Sequence, residues 1–386
     1  MLDTWGGFMT ALFISGRKMH ICNKTNPREL MVRTIYSIAA LSVFSVINAQ
    51  QKTFKCKEVH DAVKLIDEEK YDQAILILRD CEKKDPKDYT YPYEIALAYT
   101  RKTDYKNAIS ELEKIKTSPD INDYYYALLG NTYDESGNTA QAIQAYDEGL
   151  KKFPASGRLH LEKGIALESQ GKLKDAVELY EKGIKAEPMY PSNYYRVSQL
   201  YLNSKDVLYG LIYGEIFLNL ERTTSRSQKM SELLYDTYKK AVHFNAENTS
   251  IDFCEAVIDA EKYNKNKTIP FCITFAANFA LASIGQKEIN LETLSSIRRK
   301  FIEEYFKKDN YPPNILLSYH KMMEDQHVFN AYNHYIFQIG DQNAFKEWQT
   351  QNTTEYDKFV DWYTKDANLL KINKDNVYLS DQVRIR

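Results

Sequence analysis

The sequence predicts an all-α fold, a solenoid of helix hairpins, on the basis of three observations. Residues 123–156 and 157–190 align over 34 positions without a gap. The positions that they share hold small residues, tyrosines and a closing proline, which suit packed helix pairs. Beyond these segments, most apolar residues recur at helical rather than strand spacing. A fixed period of this size is typical of stacked supersecondary units.

The two aligned segments share six residues at a constant offset. The pairs are Gly130 and Gly164, Gly137 and Gly171, Ala142 and Ala176, Tyr146 and Tyr180, Gly149 and Gly183, and Pro154 and Pro188. Small residues let two antiparallel helices approach closely, and the tyrosines fill the space between units. The proline falls where a helix cannot continue. One such unit cannot bury its own apolar face, so about three or more must stack.

The same register extends in both directions without an insertion. It divides residues 55–224 into five units, at 55–88, 89–122, 123–156, 157–190 and 191–224. The outer units depart from the pattern in places: Leu112 replaces the aromatic of the second unit, and Gly214 replaces that of the fifth. We therefore predict five helix pairs over this range.

The third unit resembles the tetratricopeptide repeat family. The matching residues are Tyr126, Leu129, Gly130, Tyr133, Ala142, Tyr146, Gly149 and Pro154. The fourth unit departs from the family pattern at His160, Lys163 and Leu167, so its first helix is less typical. The resemblance implies a right-handed superhelix in which the first helices of successive units line a concave groove.

The resemblance also implies which residues line that groove. They include Tyr93, Glu94, Tyr124, Asn131, Asp134, Arg158, Glu162, Tyr195, Arg196 and Gln199. Tyrosine and arginine are the residue types that concentrate binding energy at interfaces. Some relatives grip a C-terminal carboxylate with lysine and asparagine, but only Asn131 fits that pattern, so the sequence does not predict such a clamp. A polar groove without a peptide ligand stays open as an alternative.

Residues 225–367 are predicted to form a non-repeating helical region that covers the last apolar face of the solenoid. Within it, residues 269–284 predict a buried core helix, and Asn290 predicts the cap of the next helix. Pro312 and Pro313 then predict the start of a helix that runs to about Ile339. A last helical stretch contains Trp348, Phe359 and Trp362.

Two further segments are predicted with less regular structure. Residues 247–261 alternate only partly and fit either a short strand pair or a loop. Residues 368–386 are predicted to be a polar tail that could hold one strand at 376–379.

The first 49 residues are predicted to be an N-terminal extension and a signal peptide. Arg33 precedes an apolar run at 35–47, and Ala49 follows it, which is the order of a secretory signal. The run is shorter than the ~20 residues of a membrane span, although an uncleaved anchor is the alternative. We place cleavage after Ala49 and consider Met31 a candidate for the true start. The protein is therefore expected to be exported from a bacterium, to the periplasm or outside the cell.

Four cysteines follow the predicted cleavage point. Cys56 and Cys81 lie where an antiparallel helix pair brings the start of its first helix beside the end of its second. A disulfide there would close a 25-residue loop and stabilise the first unit by roughly 3 kcal/mol. Two buried, reduced cysteines are an equal alternative. Cys254 and Cys272 form a weaker candidate pair.

Nothing in the sequence nominates a catalytic residue, a cofactor or a metal site. The nucleophile elbow, the phosphate-binding loop, the dinucleotide motif and the zinc-protease motif are all absent. His320, His327 and His334 recur every seven residues, too far apart along one helix to share a metal. Glu324 and His327 form a Glu-x-x-His unit without the partners that a metal bundle needs. We therefore expect these histidines only to flank an apolar stripe.

Composition limits the classes of partner. Charged residues make up 27% of the chain and the net charge is −2, which argues against nucleic acid. Three functions stay open: a non-enzymatic interaction scaffold in the envelope, a glycan- or nutrient-binding protein of an uptake system, and an enzyme with a site in residues 225–367. The first is the leading hypothesis, and it implies a protein partner in the groove and no membrane span after cleavage.

Overall fold

A computed structural model describes residues 54–245, 249–255, 269–307 and 313–380. The predicted signal peptide and the candidate start at Met31 lie outside these residues. The chain divides into two units, residues 1–121 and 122–386, which are described separately.

The described part of the first unit consists of two helix pairs. Its helices are α1 (Val59–Asp67), α2 (Tyr71–Lys84), α3 (Thr90–Arg101) and α4 (Tyr105–Ile115). The core of α1, α2 and α3 contains Ala62, Ala74 and Leu78, all fully buried. Small side chains at these positions let the two helices of a pair pack closely.

The second unit begins with six helices that alternate across three repeats. They are α5 (Asp123–Glu135), α6 (Thr139–Lys152), α7 (Gly157–Ser169), α8 (Leu173–Ala186), α9 (Pro191–Leu202) and α10 (Val207–Leu220). Side chains of Asn122 and Ser156 cap α5 and α7 by accepting hydrogen bonds from backbone N–H groups, which fixes where these helices start. A Cβ atom at Gly164 would collide with the ring of Tyr180, which explains why this position must be small.

The rest of the second unit is a helical region with one short sheet. Its elements are α11 (Ser225–Ala241), β1 (Val242–Phe244), β2 (Thr249–Ile251), α12 (Phe271–Ala282), α13 (Leu291–Phe306), α14 (Ile315–Asp325), α15 (Phe329–Ile336), α16 (Gln342–Gln351), α17 (Thr353–Tyr363) and a 3₁₀ turn at Asp366–Asn368. One apolar core joins α7–α10 to these helices. The predicted all-α class with a short β element is confirmed, and so is the cap at Asn290, which accepts from Thr293 N at 2.8 Å.

Two details of the predicted elements after residue 224 are wrong. The strand pair is antiparallel and pairs Val242 with Ile251, so its first strand precedes the predicted segment. The single helix expected from Pro312 to Ile339 is divided into α14 and α15. His327 lies between them with a φ of 55°, a left-handed backbone angle at which a right-handed helix ends.

The C-terminal segment also differs from the predicted polar tail. Leu370 and Ile372 are buried, and residues 377–379 pack against the core without forming a strand. Among the described residues, the helices fall short of the length and apolarity that crossing a bilayer requires.

Candidate functional site

Helices α5, α7 and α9 lie side by side and carry eight of the ten predicted groove residues. They expose a row of polar and aromatic side chains. Tyr124 is 36% exposed, whereas Asn131 is only 5% exposed. Half-buried side chains complete the row: Asp134, Arg158, Glu162, Tyr195, Arg196 and Gln199. We call these eight residues the groove face.

Arg158 is the centre of an aromatic stack. Its guanidinium carbon lies 4.1 Å from the ring centroid of Tyr124 and 5.8 Å from that of Tyr190. A cation over an aromatic face is attracted by the negative charge above the ring. The stack therefore holds a charged, planar side chain in a fixed place at one end of the groove face.

Arg196 and Gln199 form the other end of the groove face. Arg196 lies 3.6 Å from Glu168 of α7, and this carboxylate also accepts a hydrogen bond from Tyr180 at 2.6 Å. Gln199 donates to the hydroxyl of Tyr195 at 3.2 Å. The first contact ties α9 to α7, and the second lies within α9. Arg196 Nε and Gln199 Oε1 have no hydrogen-bond partner among the described residues.

Glu162 lies between the two arginines. Burial raises the pKa of its carboxyl to about 7, and the neighbouring Arg158 and Arg196 only partly oppose that effect. A carboxyl with this pKa exchanges its proton near neutral pH. The middle of the groove face therefore changes its charge in the range where proteins ordinarily work.

Asn131 lies deeper than a surface contact. Its side-chain oxygen accepts a hydrogen bond from Tyr146, while its Nδ2 has no hydrogen-bond partner among the described residues. Buried amide donors in folded proteins are usually paired. Asn131 thus offers an unused donor beneath the groove face.

Tyr93 and Glu94 belong to the first unit, on α3. Tyr93 is half-buried, but Glu94 is 2% exposed, so Glu94 is a buried group rather than part of an open surface. Burial, with the charge of Asp67 adding to it, raises the pKa of Glu94 to about 7. The helical repeat places Glu94 and Glu162 at the same position of their units, which is why both were predicted together.

Sequence reasoning missed Arg226, which lies in the first turn of α11. Its guanidinium carbon lies 5.1 Å from the ring centroid of Tyr195, and it donates to Ser192 at 3.2 Å. A second interaction pairs it with Glu221. The repeat register ends at residue 224, so it could not mark this position.

Sequence reasoning also missed a buried polar cluster in the C-terminal helices. Glu215 of α10 accepts hydrogen bonds from Arg298 of α13 and, at 2.9 Å, from Tyr332 of α15. His320 of α14 lies 2.7 Å from the same carboxylate oxygen. Burial alone would raise the pKa of Glu215, but Arg298 and His320 lower that pKa to about 2.

The cluster borders a cavity of about 20 Å³, which has room for about one water molecule. His320 is thus part of this cluster, contrary to the expectation that it only flanks an apolar stripe. His327, seven residues further along the chain, lies in the turn between α14 and α15. Glu324 forms an ion pair with Arg299 at 2.7 Å. Glu215, Arg298, His320 and Tyr332 thus form contacts between four helices.

Both candidate cysteine pairs are joined as disulfides. The Cα atoms are 5.3 Å apart in Cys56–Cys81 and 6.4 Å apart in Cys254–Cys272. Glu58 lies beside the first pair and is held by Lys84 at 3.4 Å. The first bridge connects the chain just before α1 to the last turn of α2, and the second connects the segment after β2 to α12.

The sequence profile of the tetratricopeptide repeat family matches residues 128–193. The chain carries tetratricopeptide repeats. The match covers α5 to α8 almost completely, which are the third and fourth units of the predicted register, and it confirms the predicted resemblance. Proteins with these repeats are in general non-enzymatic scaffolds for protein interaction.

Solved structures with tetratricopeptide repeats are similar to part of the chain. TTC0263 of Thermus thermophilus is 18% identical, with 46% of this chain and 96% of that chain covered and a TM-score of 0.38. MamA of Desulfovibrio magneticus RS-1 is 15% identical, with 45% and 98% covered and a TM-score of 0.35. YrrB, described as a protein with an unusual peptide-binding site, is 15% identical, with 44% and 87% covered and a TM-score of 0.31. No curated protein sequence matches the chain.

Proposed function

We propose that the chain is a non-enzymatic scaffold or adaptor of the bacterial cell envelope that binds a segment of a partner protein on the groove face. One observation carries the proposal. The stack of Arg158 on Tyr124 lies at the surface, where Tyr124 is 36% exposed, and Glu162, Arg196 and Gln199 continue the row as half-buried polar side chains. Such a row offers a partner segment aromatic surface together with charged and hydrogen-bonding groups.

The side chains of this row suit a protein ligand. Tyr124, Tyr195 and Arg158 are of the types that dominate interface energetics, and the stack of Arg158 on Tyr124 holds both in place before binding. Groups that are already fixed lose less conformational entropy when a ligand arrives.

Two features support a location in the envelope. The predicted signal peptide directs export. Two disulfides also suit an oxidising compartment, since thiols in the cytosol are kept reduced.

The groove face can be tested by site-specific photocrosslinking in envelope preparations. A photoreactive phenylalanine analogue at Gln199 samples the groove face, and one at the exposed Lys182 of α8 samples the opposite helix of the repeat. We expect a discrete crosslinked species at Gln199 only. Arg158→Ala should reduce its yield about tenfold, as removal of a binding hot spot does.

The control variant is Lys174→Ala, which removes an exposed positive charge from α8. It should leave the crosslink unchanged. Equal crosslinks from Gln199 and Lys182, or a crosslink that survives Arg158→Ala, would show that the groove face is not the binding surface.

A further inference from the structure

The C-terminal segment, residues 369–380, crosses the repeats and turns once, at residues 374–376. Near its start, Leu370 and Ile372 are buried, and the backbone N–H of Ile372 donates to Met189 Sδ at 3.3 Å. Met189 stands just before α9. This end of the segment is therefore held at the beginning of that helix.

The other end of the segment is held by three helices. The N–H of Ser380 donates to the hydroxyl of Tyr213 at 2.9 Å and to Glu181 Oε1 at 3.2 Å. Its hydroxyl donates to Glu181 and lies 2.9 Å from the hydroxyl of Tyr201, at the end of α9. The ring of Tyr378 lies 5.4 Å from that of Tyr213. The segment thus runs along α9 and contacts α8 and α10.

Glu181 shows that this surface is specialised for such a segment. It is 8% exposed, and its carboxylate accepts hydrogen bonds from the hydroxyl of Tyr213, at 2.6 Å, and from both donors of Ser380. Without the segment, this carboxylate would keep only the hydrogen bond from Tyr213, and water would take the place of Ser380. The N–H and hydroxyl of Ser380 replace that water with two charge-assisted hydrogen bonds.

We propose that α8, α9 and α10 form a binding site for a peptide segment, and that residues 369–380 are its resident ligand. The peptide that fits this site has a buried aliphatic residue, followed by an aromatic residue two positions before a serine. The N–H and hydroxyl of that serine donate to Glu181. Glu181, Tyr201 and Tyr213 are distinct from the groove face. The two surfaces can therefore be tested independently.

The test starts from the full chain with a specific protease site inserted between Asp366 and Ala367, both exposed. The folded protein is cut, and a fluorescent synthetic peptide of residues 369–380 is titrated in while polarisation is measured. We expect saturable exchange with a Kd below about 100 μM. Glu181→Gln should weaken binding about tenfold, because it removes the charge that strengthens both hydrogen bonds from Ser380.

The matched control is Asp175→Asn, which removes an exposed carboxylate from the same helix and should leave the Kd unchanged. Hydrogen exchange of the uncut chain provides a second measurement if the cut chain unfolds. Glu181→Gln and Ser380→Ala should accelerate exchange in residues 369–380, and Asp175→Asn should not. Absence of binding by a folded, cut chain, an equal Kd for the two carboxylate variants, or unchanged exchange would each overturn the proposal.

Discussion

One position of the repeat places the carboxyl groups of Glu94 and Glu162 in surroundings that disfavour their charged forms. Each lies at the same position of its unit, and burial is the main reason why each has a pKa of about 7. Their neighbours differ, since Asp67 repels Glu94 whereas Arg158 and Arg196 attract Glu162. The pKa of Glu94 therefore bears mainly on stability, and that of Glu162 bears on the charge of the groove face.

Glu94→Gln should change how the stability of the first unit depends on pH. The folded state holds the proton of Glu94 more tightly than the unfolded state does, so wild-type stability falls as pH rises from about 4.5 through 7. Glutamine does not titrate, so the free energy of unfolding of the variant should fall by about 1–3 kcal/mol less than that of the wild type over this pH range. Urea unfolding at pH 5 and pH 8 measures the difference.

The control is Glu113→Gln, at an exposed position of α4. It should preserve the wild-type pH dependence. If Glu94→Gln also preserved it, the carboxyl of Glu94 would have an ordinary pKa in the folded protein.

At the scale of elements, the contact of Glu215 with Arg298 joins the last repeat helix to the C-terminal helices. Both side chains are about 4% exposed or less, and Arg298 also lies 4.9 Å from the ring centroid of Phe337. Removing one partner of such a buried ion pair costs more stability than the intact pair contributes, because a single substitution leaves the other charge buried and unpaired.

A double-mutant cycle on α10 and α13 should therefore be strongly non-additive. We expect Glu215→Gln and Arg298→Met each to lower the free energy of unfolding by about 3–5 kcal/mol. The double variant should lose clearly less than the sum of the two, by about 1–3 kcal/mol. Equilibrium unfolding in denaturant measures all four proteins.

The adjacent pair Arg299 and Glu324 is the matched comparison. It joins α13 to α14 at 2.7 Å, but Arg299 is 42% exposed. Its cycle should give a coupling below about 1 kcal/mol, because solvent screens exposed pairs. Equal couplings for the two pairs would contradict the role assigned to Glu215 and Arg298.

The repeats could be predicted from the sequence because each unit repeats the same local packing problem. Gly164 faces Tyr180 within one helix pair, and the same pairing 34 residues earlier joins Gly130 to Tyr146. Ordinary helix spacing and a cap at Asn290 likewise predicted several C-terminal helices.

The remaining features depend on contacts between distant residues. Glu215 and His320 are 105 positions apart, and Ser380 and Glu181 are 199 apart, so no local pattern connects them. The break at His327 depends on a left-handed backbone that is rarely found at residues other than glycine. The register predicted which residues line the groove but not how deeply their side chains are buried, and Glu94 and Asn131 are more buried than a surface prediction implies.

At the scale of the whole molecule, export and disulfide formation can be tested together through the five cysteines. Four of them form the two disulfides, and Cys22 lies within the segment that we predict to be removed after Ala49. Protein recovered from the envelope fraction should therefore begin at Gln50 and contain no free thiol. Intact mass spectrometry after alkylation in denaturant should show no adducts, and four adducts after prior reduction.

The same spectrum separates the alternatives. An uncleaved anchor adds the mass of the residues before Gln50. A chain that starts at Met1 also carries one adduct at Cys22 without reduction, whereas a chain that starts at Met31 lacks that cysteine. Protein made in the cytosol without export provides the control. It should carry adducts at Cys56, Cys81, Cys254 and Cys272 without prior reduction, because that compartment keeps thiols reduced. Four adducts on the envelope protein before reduction would contradict both disulfides, and with them the oxidising environment that supports the proposed location.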